Sequence, residues 1–413
     1  MGAAAMAISR RALLGGALGV TAAAVAGFTV ESVATRRSAS ADASGARVTG
    51  RASQAAPVRP IGDGSTADTG AQPHQPVPQK LAPGERPPQF VVMSWDGAGE
   101  TQAQLFTRFR GVAKELKGSM TFFLSGIYTL PERNKTFYKP PRHQPGASAI
   151  GYLSDQSVHD TIEQVGLAWG EGHEIGTHFN GHFCGKGGVS EWSPADWDSE
   201  IDQAVAMVSQ WRTNTGFTDL PALPFDYTKE LVGGRTPCLE GQANLLRSER
   251  VKRWRYDSSG TGTQIWPAKF AGGLWNLPMQ QIPFPGHSFE VISMDYNMMY
   301  NQSKTPNGDA AKRSTWQQQA RDAFVAGFQR AYTTNRAPYI IGNHFERWNG
   351  GIYMDAVADA AHQMAQHDDV RFVSFRQLVD WLEAQDPAVL QKLRKLPVGQ
   401  KPDGGWAGYL GAA

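Results

Sequence analysis

From residue 89 the chain alternates short, almost wholly apolar runs with stretches whose apolar residues recur at helical spacing. Phe90-Val91-Val92-Met93-Ser94-Trp95 is such a run, the pattern of a strand buried on both faces. Leu105, Phe106, Phe109, Val112 and Leu116 then mark a helix, and Met120–Leu124 a second strand. Glu174–Thr177, Leu231–Gly234, Trp254–Asp257, Val291–Met294, Tyr339–Ile341 and Val370–Val373 continue the series. Ser193 before Pro194 signals a helix start, with Trp197, Ile201, Val205 and Val208 on one face, and Phe375–Ala384 reads as a last helix. Parallel strands need crossover connections, so this alternation predicts an α/β fold, and at this length a closed barrel rather than an open sheet. Residues 127–160 are Pro-rich and irregular, and a long loop is expected there.

The flanks read differently. Residues 1–41 resemble an export signal: Ser9-Arg10-Arg11-Ala12-Leu13-Leu14 precedes an apolar stretch reaching about Phe28, and Ala39-Ser40-Ala41 fits a small-residue cleavage site. The paired arginines point to a twin-arginine signal; an ordinary secretory signal is the alternative. Residues 42–88 hold few large apolar side chains and are expected as a disordered linker. Residues 89–385 form the expected catalytic domain, and 386–413 a tail with a loose helical piece and an unstructured end. The net charge is +2, and seven arginines fall in the first 60 residues, so the folded part carries no field suited to nucleic acid.

In an α/β barrel the reactive groups sit at the C-terminal ends of strands. Those ends carry Asp96, His178 with His182, Arg235, Asp257 and His344. Two imidazoles four residues apart at a glycine-containing turn suit a divalent metal, and two polar loop residues falling together by chance is the bland alternative. With a fixed cation, two carboxylates and a third histidine they make a kit for metal-assisted hydrolysis. His143, His159 and His173 match no role, and His362 and His367 read as solvent-facing. Trp348 either lines a sugar subsite or caps the barrel. Cys184 and Cys238 are the only cysteines, which in an exported chain reads as a disulfide. The alternative is Cys184 as a soft metal ligand.

Taken in order, these motifs resemble the NodB-type polysaccharide deacetylases of carbohydrate esterase family four, chitin deacetylases included, over roughly Gln89 to Leu382. Val91–Asp96 resembles the family's first motif, Thr121-Phe122-Phe123 its second strand, and Gly172-His173-Glu174-Ile175-Gly176-Thr177-His178 with His182 its metal motif. Gly234-Arg235-Thr236-Pro237 resembles the Arg-x-Pro motif, Tyr256–Ser259 the next strand end, and Ala337–His344 the last histidine. The resemblance implies a distorted (β/α) barrel. It also implies hydrolytic removal of N- or O-acetyl groups from a cell-wall or extracellular polysaccharide, with a divalent metal, zinc first among them. On the same basis His178 and His182 would be ligands, Asp96 the general base oriented by Arg235, and His344 the acid tuned by Asp257. The Cys238 backbone N–H would help hold an oxyanion. No nucleic-acid partner is implied, and membrane contact only through the signal.

One departure matters. The family carries two adjacent aspartates, and here the second position is Gly97. Either Asp96 is the base and a ligand is missing, or Asp96 is the ligand and the base comes from elsewhere; Asp295 is a candidate substitute ligand. The competing functions are a carbohydrate-binding barrel that has lost the reaction, and a hydrolase of another amide or ester shaped by the loops 127–160 and 260–290.

Overall fold

A computed structural model describes residues 58–411; the expected export signal lies outside them. The central strand is β1 (Gln89–Asp96), with every residue buried. Helix α1 (Leu105–Glu115) leads to β2 (Thr121–Leu124), and α2 (Asp155–Gly170) to β3 (Glu174–Thr177). Next come α3 (Pro194–Ser209), β4 (Tyr256–Asp257), β5 (Trp275–Asn276), β6 (Met279–Pro283) and β7 (Glu290–Ile292). Helices α4 (Asp295–Gln302) and α5 (Arg313–Tyr332), strand β8 (Tyr339–His344), α6 (Ile352–Met364), β9 (Val370–Phe372) and α7 (Phe375–Ala384) complete the domain.

Strands β8, β1, β2 and β3 run parallel in that order, and β9 pairs with the first half of β1. Backbone hydrogen bonds carry the circuit on from β3. Arg235 N bonds to Thr177 O, Ser258 N to Gly234 O, and Leu277 N to Asp257 O. Ser293 N then bonds to Gln280 O, and Gly342 N, on β8, to Ser293 O, which closes the ring. Each far-side pairing spans only one to three residue pairs, so the α/β barrel is distorted. The expected strand at Leu231–Gly234 shrinks to one bridge, Thr177 to Gly234.

Alternation along β1 explains its continuous apolarity. Val91, Met93 and Trp95 join the layer under the helices with Phe106, Phe109 and Phe122, whereas Phe90 and Val92 face the barrel interior with Phe123, Tyr256, Trp275 and Phe375. A two-residue period then turns Ser94 and Asp96 inward as well. The same rule applies to β8, where Ile340 is interior and Ile341 exterior, so His344 ends on the interior phase. The inward phases of β1 and β8 thus deliver Asp96 and His344 to one end of the barrel.

Three expectations are corrected. The 127–160 region is not one loop: it holds turns of 3-10 helix at Gly126–Thr129 and Glu132–Phe137, and α2 begins inside it, where the Ser154 side chain accepts from Ser157 N. Residues 58–88 of the expected linker are not disordered. Arg59–Ile61 pairs with Thr66–Asp68, Trp211 Nε1 donates to Ser65 O, and Gln72 Nε2 to the carbonyls of Trp169 and His173. Hydrogen bonds to the body order this polar segment in place of apolar burial of its own. The tail forms helices at Pro387–Arg394 and Gly405–Leu410, and Leu390, Leu393 and Leu410 pack into the interior-side cluster. Among the described residues no helix is long and apolar enough to cross a membrane.

Candidate active site

Arg235 is the centre of the site and is wholly buried. Its Nη1 donates to Asp96 Oδ1 at 2.7 Å and to Ser94 Oγ at 2.9 Å, and its Nη2 donates to Ser258 Oγ at 2.8 Å. The guanidinium lies over the Phe123 ring, 4.9 Å from its centroid. Gly342 makes room for it, since a Cβ there would stand 3.1 Å from Arg235 Nη1 and 2.9 Å from Met279 Cε. Burial alone would raise the Asp96 pKa, but the Arg235 guanidinium, with smaller contributions from His178 and His344, holds it below the ordinary carboxylate value. Asp96 is therefore ionised at neutral pH.

His178 is buried, and its Nδ1 lies 2.8 Å from the Arg235 carbonyl oxygen. A carbonyl can only accept, so Nδ1 carries the proton and Nε2 presents a lone pair. That Nε2 is buried with no hydrogen-bond partner among the described residues. Burial lowers the His178 pKa to about 4, against a smaller opposing pull from Asp96. A neutral imidazole with an orphaned, inward lone pair is what a metal ligand requires. The ring of His182 lies 5.0 Å from that of His178, centroid to centroid, so the two candidate ligands stand side by side. The loop between them is strained, with Phe179 at φ 61° and His182 at φ 56°.

The expected disulfide is present, Cys184 to Cys238, closing a separation of 54 residues. It ties the histidine loop to the turn after Arg235, and closing a loop of that length stabilises by roughly 4 kcal/mol in the chain-entropy view. His182 and the two sulfurs lie within 4.8 Å of one another, but sulfurs joined as a disulfide offer no thiolate, so Cys184 does not replace a missing ligand. Gly97 sits at φ +67°, and a Cβ there would stand no closer than 3.6 Å to any neighbour, that being Ser125 Oγ. Space for a side chain is present, and only the left-handed backbone opposes one.

The partner of His344 is corrected. Its Nδ1 lies 2.8 Å from Asp295 Oδ1, and its backbone N donates to Asp295 Oδ2 at 2.8 Å. Asp257 instead accepts from Gln242 Nε2 at 2.6 Å and from Ser259 Oγ at 2.7 Å. Burial raises its pKa, with those hydrogen bonds opposing. Asp257 thus supports the Arg235–Ser259 region through Gln242 and Ser259. Asp295, weighed from sequence as a metal ligand, is fully buried; both its oxygens meet His344, and Oδ1 also accepts from Tyr296 N at 2.7 Å. No motif carried this pairing: Asp295 follows the strand that bridges to β8 through Met294 and Gly342, so barrel closure makes the two strand ends abut. Trp348 stands beside this pair, its ring 5.3 Å from His344 and 5.8 Å from Tyr296. Of the histidines given no role, His173 is buried and its Nδ1 accepts from Met120 N.

No protein-family model and no curated protein matches the chain. Solved structures do. A putative polysaccharide deacetylase from Mycobacterium smegmatis is 16% identical with a TM-score of 0.42, over 74% of this chain and 95% of that one. A peptidoglycan deacetylase from Bacillus subtilis is 10% identical with a TM-score of 0.36, over 72% of this chain and 92% of that one. A pseudoenzyme of carbohydrate esterase family four from Bacillus anthracis is 9% identical with a TM-score of 0.37, over 74% of this chain and 70% of that one. These likenesses are low on both measures.

Proposed function

We propose that the chain is an exported hydrolase that removes acetyl groups from a polysaccharide, with a divalent metal, zinc first, held by His178 and His182. The orphaned, buried Nε2 of His178 beside His182 is the observation that carries this reading. When bound, the metal would polarise the acetyl carbonyl. Asp96, kept ionised and aimed by Arg235, takes a proton from the attacking water. His344, fixed through Nδ1 by Asp295, gives a proton from Nε2 to the departing amine or alcohol. The N–H of Cys238, in the turn anchored by the disulfide, would steady developing negative charge. Trp348 offers a flat face for a sugar next to His344. Export would run through the twin-arginine signal of residues 1–41, and the disulfide fits an oxidising compartment.

A second reading, a carbohydrate-binding barrel without turnover, is favoured by one observation: Gly97 leaves the metal pair without its adjacent carboxylate. Acetate release from acetylated amino-sugar polymers, measured with chelator and after zinc is restored, separates the two. Metal-dependent acetate release supports the deacetylase. Saturable sugar binding with no acetate under any divalent metal establishes the binding module. Asp96→Asn then divides the roles of that carboxylate: lost turnover with retained zinc makes it the base, and loss of both makes it the ligand.

A further inference from the structure

Behind the histidine loop lies a buried carboxylate that the reaction does not use. Glu200, on α3, is wholly buried, and no cation is among the groups that hydrogen-bond to it. Asn180 N donates to Glu200 Oε1 at 3.0 Å, and Asn180 Nδ2 donates to the Glu200 carbonyl at 2.9 Å. The Tyr138 hydroxyl stands 3.0 Å from both carboxylate oxygens and itself accepts from Gly181 N at 3.0 Å. The three loop residues between the two candidate ligands are 179–181, and two of them are thus fixed through Glu200 and Tyr138.

The same stretch is strained. Phe179 and His182 both have left-handed φ, which for non-glycine residues costs of order 1–3 kcal/mol each unless the surroundings hold them. Packing is close as well: a Cβ on Gly181 would meet the Tyr138 hydroxyl at 2.7 Å, and one on Gly126 would meet Asn180 Oδ1 at 2.1 Å. Burying an uncompensated carboxylate is unfavourable, and burial pushes the Glu200 pKa up to about 7 even though Tyr138 and Asn180 donate to it.

We infer that Glu200, acting through Asn180 and Tyr138, is a positioning residue that holds the strained 178–182 loop so that His178 and His182 converge on one metal. This inference rests on the metal reading of that pair. Partners beyond the ligands commonly set metal affinity by 10–100-fold.

The test compares zinc affinity, by chelator competition, with amide exchange at Asn180 and Gly181, which needs no metal. Glu200→Ala is expected to weaken zinc at least about 30-fold, to alter the visible spectrum of the cobalt-substituted protein, and to speed exchange at both amides at least about tenfold. Glu200→Gln keeps an acceptor for Asn180 N and is expected to restore zinc affinity to within about threefold of wild type. Where Glu200→Ala does not fold, Tyr138→Phe carries the test, with exchange at Gly181 quickened and zinc weakened about tenfold. A folded Glu200→Ala or Tyr138→Phe protein with wild-type exchange at these amides overturns the brace. If the wild type itself takes up no zinc, the metal reading fails on its own, and the exchange rates alone decide whether Glu200 holds the loop.

Discussion

The ends of β3 and β8 each present a histidine to the same space, and they are anchored oppositely. His178 leans on a carbonyl, which can only accept, so the ring is fixed as a neutral donor of one lone pair. His344 leans on a buried carboxylate, its Nδ1 2.8 Å from Asp295 Oδ1. Identical side chains at equivalent strand ends thus stand in different settings, and the proposed function assigns them different roles, ligand and acid. The carboxylates show a parallel contrast. Asp96, paired with Arg235, is held ionised, while Asp257, given only neutral donors, is pushed toward the protonated form.

Breaking the first half of the contrast should have the largest effect. His178→Ala should abolish tight zinc binding and reduce acetate release at least about 1000-fold, measured with saturating zinc removed by dialysis. Next comes Arg235→Leu, which strands a buried carboxylate. Denaturant unfolding should show a loss of about 3–5 kcal/mol, partly relieved in the double variant with Asp96→Asn. Asp295→Asn should lower turnover about 100-fold with zinc content unchanged, whereas Asp257→Asn should alter turnover less than about threefold; equal losses would erase the distinction between the two carboxylates.

The pH dependence of stability sharpens the contrast more gently. His178 is neutral in the fold down to about pH 4 but protonates near its ordinary value of 6.5 when unfolded. The unfolded chain therefore binds more protons between those values, and metal-free protein loses stability as pH falls through that window, by up to about 3 kcal/mol. His173, also lowered to about 4 by burial, contributes with the same sign. His178→Asn should remove only part of the slope between pH 6.5 and 4 in thermal melts, and an unchanged slope would place His178 in a wetter setting.

Much of this was legible in the chain because strands obey a two-residue period. Val91–Asp96 reads as a doubly buried strand, and its inward phase ends at Asp96; the same holds for Ile340 and His344. The disulfide followed from there being two cysteines in a chain expected to be exported. The pairing of His344 was not legible by adjacency to the motifs. It depends on barrel closure, which sets Met294 beside Gly342 and brings Asp295 rather than Asp257 to His344. Helix α2 was hidden behind a Pro-rich approach although Val158, Ile162, Val165 and Trp169 keep helical spacing. Residues 58–88 escaped because apolar content predicts burial, not hydrogen bonding to a neighbouring surface.

Zinc content after equilibrium dialysis of wild type, His178→Ala and His182→Ala tests the central claim most directly. Close to one zinc per wild-type chain, falling to background in both variants, is the predicted result. Equal zinc in all three proteins, or none in a wild type that still releases acetate, would contradict a metal centre at this histidine pair.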